Sequence, residues 1–534
     1  PEADFFELGG TSLLAMRAAG RLGRETGQSL PVLALFQART VRRVAVLLAA
    51  APDAGAPAPA RDLELPPLAP RPDPTSWPLT SSQRISWELT HRGRQSVFEW
   101  PRRVFELAGP LDRAALRRAA DAVVMRHPVL RARFTRSGGG LVQTVAPAPA
   151  RGWHELDAPA GDGGDRGGPA PRELARLLER PFDLTAGPVI RFVLARASAD
   201  RHWLGFAVHH IAFDGGSLAP FLADLSGAYR QLAAGREVAW SAPALALADV
   251  AAWEQAAWRT AGPAMAAYWR DQLAGARPPP LPRADPPGPL AHAPELTPAR
   301  APELAPEPVI TRSFTLARPA LDRLRRTAAA LGATPFLVAL TSFGATVRAL
   351  TRSDDVCIAS PYARRDLEAA GSVVGYMAHP LLFRLAPPAG ASFARAVAHT
   401  GERVLGAYRH GQVPLVFGPD VLPGLPSSRA LGGEALYRIF FNYLDLGRAA
   451  LDLGPGLVAA PVDLGPESET RFPLMVFAVE TEQALIWNVV GQARWYAPAQ
   501  VAALAEKIGR DLERALADPL ESSDPGRDHR APDL

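Results

Sequence analysis

The chain is nearly without cysteine, nearly without lysine and poor in aromatic side chains, and the shortages are informative. One cysteine, Cys357, in 534 residues cannot close an internal disulfide or supply a multi-cysteine zinc site. A reducing cytoplasm is the expected setting. Lys507 is the only lysine, the other basic residues being arginine; this reflects a GC-rich coding bias and carries no mechanism. Lys plus Arg number 58 against 54 Asp plus Glu, a formal net charge of +4. Phosphate recognition needs clustered positive charge, so nucleic acid is not an expected partner. No apolar run approaches the roughly 18 residues of a membrane span, and no signal-peptide pattern stands at the start. Neither membrane insertion nor secretion is expected.

Apolar groups, in contrast, are plentiful. Hydrophobic residues are 48% and charged residues 21% of the chain, enough to offset chain entropy in a globular protein of several domains. The first residue is Pro1 rather than Met, so a piece of a longer polypeptide is expected. Proline marks the divisions: nine fall in residues 52–78 and twelve in 278–308. Such spacing deprives helix and sheet of backbone donors and favours extended chain. The expected organisation is a helical block at 1–51, a proline-rich linker at 52–77, two mixed α/β blocks at 78–277 and 309–520 joined by a proline-rich connector at 278–308, and a tail at 521–534. In the first α/β block Leu116, Ala120, Val123 and Val124 share a helix face; in the second, Leu321, Leu324, Ala328 and Leu331 do so. The continuous apolar runs WLGFAV (203–208) and LMVFAV (474–479) suit buried strands.

Two motifs carry chemistry. In LGGTSL (8–13) the glycines permit a tight turn and Ser12 opens a helix with its hydroxyl exposed. By itself this is also the pattern of a helix N-cap. A hydrolase nucleophile elbow does not fit, since Gly10, Ser12 and Leu14 fail to complete GxSxG. The second motif, HHIAFDG (209–215), follows the apolar run directly. In extended chain successive side chains point oppositely, so one of His209 and His210 faces a site and the other the interior. Histidine is suited to moving a proton at neutral pH, and Asp214 is placed to fix the local geometry. A metal would want a third ligand, for which no local candidate stands at the usual spacing.

The wider run DFFELGGTSLLAMRAAGRL (4–22), with LPVLALFQARTVRRVAVLL (30–48), resembles a peptidyl carrier protein of non-ribosomal peptide synthetases, without the helix that normally precedes the motif. The resemblance implies a truncated helical-bundle carrier bearing covalent 4′-phosphopantetheine on Ser12, attached by a phosphopantetheinyl transferase. Residues 78–520 resemble a condensation domain. The segments PLTSSQRISW (78–87), RHPVLRARF (126–134), PFDLTAGPVIRF (181–192), HHIAFDG, ADVAAW (248–253), YWRDQL (268–273), DDVCIASPYARR (354–365), VVGYMAHPLLFRL (373–385) and FFNYLD (440–445) stand in the family's order. That resemblance implies two chloramphenicol-acetyltransferase-like lobes forming a peptide bond between carrier-tethered substrates, with upstream and downstream synthetase modules as partners. It makes His210 the catalytic histidine, Asp214 mainly structural and paired with Arg365, and Gly215 the residue that permits the turn and leaves room for substrate. Ile85 stands where arginine is usual, and Ala378-His379 where Val-Asn is usual. An L-configured donor is the default, because no epimerase domain intervenes. The nearest alternatives are an epimerase, though no counterpart of its EGHGRE motif is present, and a non-catalytic recruitment platform.

Overall fold

The computed structural model describes residues 2–5, scattered positions of 18–38, and 39–50. It then describes most of 63–92, and 101–148, 152–157, 172–240, 245–279, 307–365, 370–412, 438–445, 450–462 and 472–519, with a few isolated positions between and without 139 and 482. The expectations at Ser12, at 52–62, at most of 278–308 and at the tail lie outside these residues.

Helix α1 (Val41–Ala50) belongs to the helical block, and α2 (Ser81–Arg92) opens the first α/β unit at its edge. The sheet of that unit is built from β1 (Arg102–Ala108), β4 (Trp153–Asp157), β5 (Ile190–Arg196) and β6 (Arg201–Val208), with a separate hairpin of β2 (Ala132–Ser137) and β3 (Gly140–Val145). Helices α3 (Arg113–Arg126), α4 (Arg172–Glu179) and α5 (Leu218–Ala233) accompany it. The Asp112 carboxylate starts α3 by accepting the Ala115 N–H at 2.9 Å, satisfying a donor the helix leaves open. Leu116, Ala120, Val123 and Val124 are all buried. Phe221 on α5 packs on the sheet against Phe206 at 5.0 Å and Phe192 at 6.3 Å between ring centroids, a contact whose loss to alanine costs about 3–5 kcal/mol.

Helix α6 (Leu247–Gln272) then crosses to the second unit. There the elements are β7 (Glu307–Ala317), α7 (Arg318–Ala330), α8 (Pro335–Thr351), β8 (Val356–Tyr362), β9 (His379–Leu385), α9 (Phe393–His410), β10 (Ile439–Asp445), β11 (Val458–Val462), β12 (Glu469–Thr470), β13 (Leu474–Glu480), β14 (Ala484–Gln492) and α10 (Pro498–Ala517). Seven strands form one mixed sheet in the order β12-β7-β14-β13-β10-β8-β9, with β10 parallel to both neighbours. Thr334, followed by Pro335, caps α8, the helix start that proline's fixed φ and missing N–H favour.

The packing does not divide where the proline-rich connector does. β11 leaves the second unit and pairs antiparallel with β1, so the first sheet runs β11-β1-β6-β5-β4. Leu451, Leu453, Leu457, Val373, Val374 and Met377 are buried in the first core, while Trp269 of α6 is buried in the second. Each unit thus completes its core with chain from the other. In the helical block Leu35, Ala38 and Val44 form a small core against Phe5, Ala18, Leu22 and Leu48, and Leu405 of α9 packs on the same cluster. Among the described residues no single helix is long and apolar enough to cross a membrane.

Candidate functional site

Strand β6 delivers the histidines to the seam between the units. It ends at Val208; His209 is extended at φ −65°, ψ 139°, and His210–Ala212 form one 3₁₀ turn. The two side chains therefore diverge because the chain turns, not because a strand alternates through them. His209 is fully buried, meets the Phe182 ring edge-on at 6.2 Å, and accepts the Ile211 N–H on Nδ1 at 3.1 Å. That bond places the proton of the neutral ring on Nε2. His210 is half-buried and its ring lies 4.9 Å from that of Tyr376, which comes from the second half of the chain. Gln83 on α2 supports the same turn by donating to the Ile211 carbonyl at 3.2 Å.

Asp214 binds the seam. Its side chain is 1% exposed and accepts six hydrogen bonds: from Ser217 N at 2.9 Å and Oγ at 2.8 Å, from Arg365 Nη2 at 2.8 Å and Nη1 at 3.3 Å, and from the Met377 and Ala378 N–H groups at 3.0 and 2.9 Å. A carboxylate offers about four lone-pair positions, so none is left for a reacting group. Ser217 Oγ also lies 3.0 Å from both Gly375 N and Gly375 O. Gly375 itself sits at φ +156°, and a Cβ there would meet Leu247 at 2.7 Å. Gly215 has nothing within 4 Å of where its Cβ would be and shows no left-handed φ. Its neighbour Gly216 is the constrained one, with Arg365 Cζ and Nε at 2.8 Å.

A second clamp was not foreseen from the sequence. Arg364, fully buried at φ +51°, donates to the Met377 carbonyl at 2.8 Å, to the Gln412 carbonyl at 3.0 Å, and to Glu254 of α6. Glu254 in turn accepts the Ser81 N–H at 2.6 Å and its Oγ–H at 2.9 Å at the start of α2. The segment carrying Tyr376 is thereby held at Met377 by both clamps, Asp214 accepting its N–H and Arg364 donating to its carbonyl, and at Val373, whose carbonyl accepts from Arg365 at 3.0 Å. The legible signals were a charged residue inside the apolar α6 pattern and the doubled arginine of PYARR, since buried charges occur paired. Gln83, Ser217 and Tyr376 gave no comparable signal beyond lying in or beside quoted segments.

Two further titratable side chains among the described residues, Cys357 and His379, are buried. Burial, then Asp355, pushes the Cys357 thiol up to about 12. His379 is buried on β9, and desolvation together with Arg364 holds its basicity well below the ordinary histidine value. Among the described residues no cluster of three or more His, Cys, Asp or Glu is arranged to hold a metal.

Comparison with known proteins agrees over nearly the whole length. Residues 75–524 match the family described as Condensation domain, and residues 1–48 the family described as Phosphopantetheine attachment site. A linear gramicidin synthase of Brevibacillus parabrevis is 26% identical over 526 residues, covering 97% of this chain and 10% of that protein; the chain spans about a tenth of that relative's length. Among solved structures, an X-domain from teicoplanin biosynthesis in complex with OxyB is 25% identical with a TM-score of 0.70, covering 86% of this chain and 97% of that one. The first condensation domain of the calcium-dependent antibiotic synthetase, in complex with a substrate analogue, is 25% identical with a TM-score of 0.65, covering 84% and 98%. The cofactor that the attachment-site match implies, 4′-phosphopantetheine, requires a hydroxyl for its phosphodiester, and the matched residues 1–48 contain several, Ser12 among them.

Proposed function

The chain belongs to the condensation-domain family, with a phosphopantetheine attachment site ahead of it, and from that premise we propose that it forms peptide bonds between carrier-tethered substrates within a larger non-ribosomal synthetase. On this reading residues 1–51 are the carrier, and 78–277 with 309–520 are the two lobes. Ser12 bears the arm after modification by a phosphopantetheinyl transferase, and neighbouring modules supply monomers in the cytoplasm. When bound, 4′-phosphopantetheine supplies the thiol that carries the acyl group. The observation that supports this reading is the contrast at the seam: Asp214 is saturated by six donors, while His210 is half-buried with its ring against that of Tyr376, and nothing stands within 4 Å of the Cβ position of Gly215 in the same motif.

The acceptor amine attacks the acyl carbon, a C–N bond forms and the C–S bond breaks. His210 takes the proton the amine sheds and returns it to the departing sulfur, so the products are an amide and a free thiol and the imidazole is neutral again. Asp214, Arg365 and Arg364 hold the turn and the Tyr376 segment so that the two substrates meet in a fixed geometry, the contribution proximity makes to a two-substrate reaction. The donor residue is L-configured. With loaded donor and acceptor carriers, His210→Ala should lower dipeptidyl product at least a hundredfold with unchanged secondary structure; undiminished product would remove His210 from the mechanism. Chiral analysis of the product tests the donor configuration and separates condensation from epimerisation. Loss of a coenzyme A-dependent mass increase in Ser12→Ala tests the attachment site.

A second reading, a recruitment platform, is favoured by the similarity to the X-domain in complex with OxyB. It predicts no condensation by the wild-type chain and a retained partner interaction in His210→Ala.

A further inference from the structure

The described part of the proline-rich segment ahead of the first lobe is not a free spacer; it is seated along α6. Leu63 and Leu65 pack with Trp258 on Ala261 and Met265. The Pro66 carbonyl accepts the Trp253 indole N–H at 2.6 Å, and Leu68 packs on the first core. Arg71 donates both its backbone N–H, at 3.0 Å, and its Nε–H, at 3.1 Å, to Asp249, whose carboxylate is buried. Asp249, Trp253, Ala261 and Met265 recur at multiples of four residues, a row of side chains that winds slowly around the helix, and the strap runs along it in the opposite direction. The lengths agree. From Asp249 to Met265 the helix rises about 24 Å at 1.5 Å per residue, and from Leu63 to Arg71 a polyproline strap extends about 25 Å at 3.1 Å per residue. Leu63, Leu65, Pro66, Leu68 and Arg71 are half-buried while Pro67, Ala69, Pro70 and Pro72 are exposed, so one side of the extended strap is covered by the fold and the other faces solvent. Proline suits the seat because the strap offers few N–H groups that would need partners.

We propose that this strap anchors the carrier: the chain leading from the carrier joins the condensation fold at Leu63 rather than at Leu79, and its seat on α6 limits how far Ser12 travels. The inference rests on the reading of 1–51 as a carrier. The thirteen residues from Ala50 to Leu63 reach at most about 45 Å, whereas reaching Leu79 would allow about 100 Å. Effective concentration falls roughly as the −3/2 power of tether length, so releasing the strap lowers the carrier's local concentration about threefold.

The test is the variant Leu63→Ser/Leu65→Ser/Arg71→Ala in the full chain, which leaves the residues of both lobes intact. Hydrogen exchange should show the strap amides, Arg71 N–H among them, protected in the wild type and exposed in the variant. Spin labels at Arg43→Cys and Arg259→Cys, with the buried Cys357 unlabelled, should show a distance distribution that spreads to longer values in the variant. Transfer from the chain's own carrier should fall about threefold, while transfer from a carrier added in trans to Ser12→Ala forms with and without the strap changes should be equal. Unprotected strap amides in the wild type, an unchanged distance distribution, or equal losses in cis and in trans would each overturn the proposal. If the wild-type chain shows no transfer at all, the condensation reading fails, and exchange and distances alone decide the strap.

Discussion

Removing the Asp214 carboxylate should destabilise the fold strongly. In Asp214→Ala the Arg365 guanidinium, 11% exposed, stays in place without its counter-charge, and the Met377 and Ala378 N–H groups lose their acceptor. Stranding one partner of a buried ion pair costs about 3–5 kcal/mol, and an orphaned buried donor adds about 1–3 kcal/mol where water does not replace it; a total of at least about 4 kcal/mol is expected. Arg365→Ala should be milder, because Asp214 keeps its bonds from Ser217, Met377 and Ala378. The double variant should fall short of the sum by about 2 kcal/mol, since the second removal no longer strands a charge. Urea unfolding, with slopes compared to confirm that the same surface is exposed, gives the four free energies. Additivity within about 0.5 kcal/mol, or a cost under about 1 kcal/mol for Asp214→Ala, would refute the idea that this pair ties the two halves of the chain together.

The adjacent glycines should behave oppositely. Gly216→Ala drives a methyl into the Arg365 guanidinium and should lose about 1–3 kcal/mol by overpacking; Gly215→Ala meets nothing within 4 Å and should unfold within about 0.5 kcal/mol of the wild type while its transfer rate falls. Equal stabilities for the two would contradict the geometry. His379 is held neutral in the fold by burial and Arg364, so the unfolded chain takes up a proton that the folded one refuses. Stability on this account is present above the unfolded value of about 6.5 and is lost as pH falls below it, by up to about 1.4 kcal/mol per pH unit. His379→Phe should flatten that slope between about pH 6.5 and 5 in urea titrations, and parallel curves would reject it.

Much of the site was legible because its signals are local. The apolar run of β6 and the His-His-Asp-Gly spacing are contiguous, and strand and motif both follow from neighbouring residues. The alternation argument for the histidines, by contrast, assumed strand geometry through His210, where hydrogen bonds from Ile211 to His209 and from Phe213 to His210 instead close a turn. The Glu254–Arg364 clamp joins positions 110 residues apart, and no spacing rule connects them. Strand β11, with Val458 exposed and Pro461 inside it, carries no strong strand pattern; its place beside β1 is set by the leucines around it, which are buried in the first core.

By itself the sequence determined the kind of molecule: the scarcity of cysteine, the apolar share, the order of motifs and the attachment-site pattern all reside in composition or short windows. It also led to the expectation of extended chain where prolines cluster, because proline lacks the donor that helix and sheet require, and the described residues 65–73 are in neither. Only the tertiary structure decided what those segments and charges do. Whether a proline-rich stretch hangs free or lies along α6 depends on Trp253 and Asp249, far away in the chain. Whether an aspartate reacts or binds depends on how many donors the fold brings to it, and at Asp214 four of the six come from more than 150 residues away. Local signals survive in a one-dimensional reading; a buried charge finds its partner only when packing closes the distance.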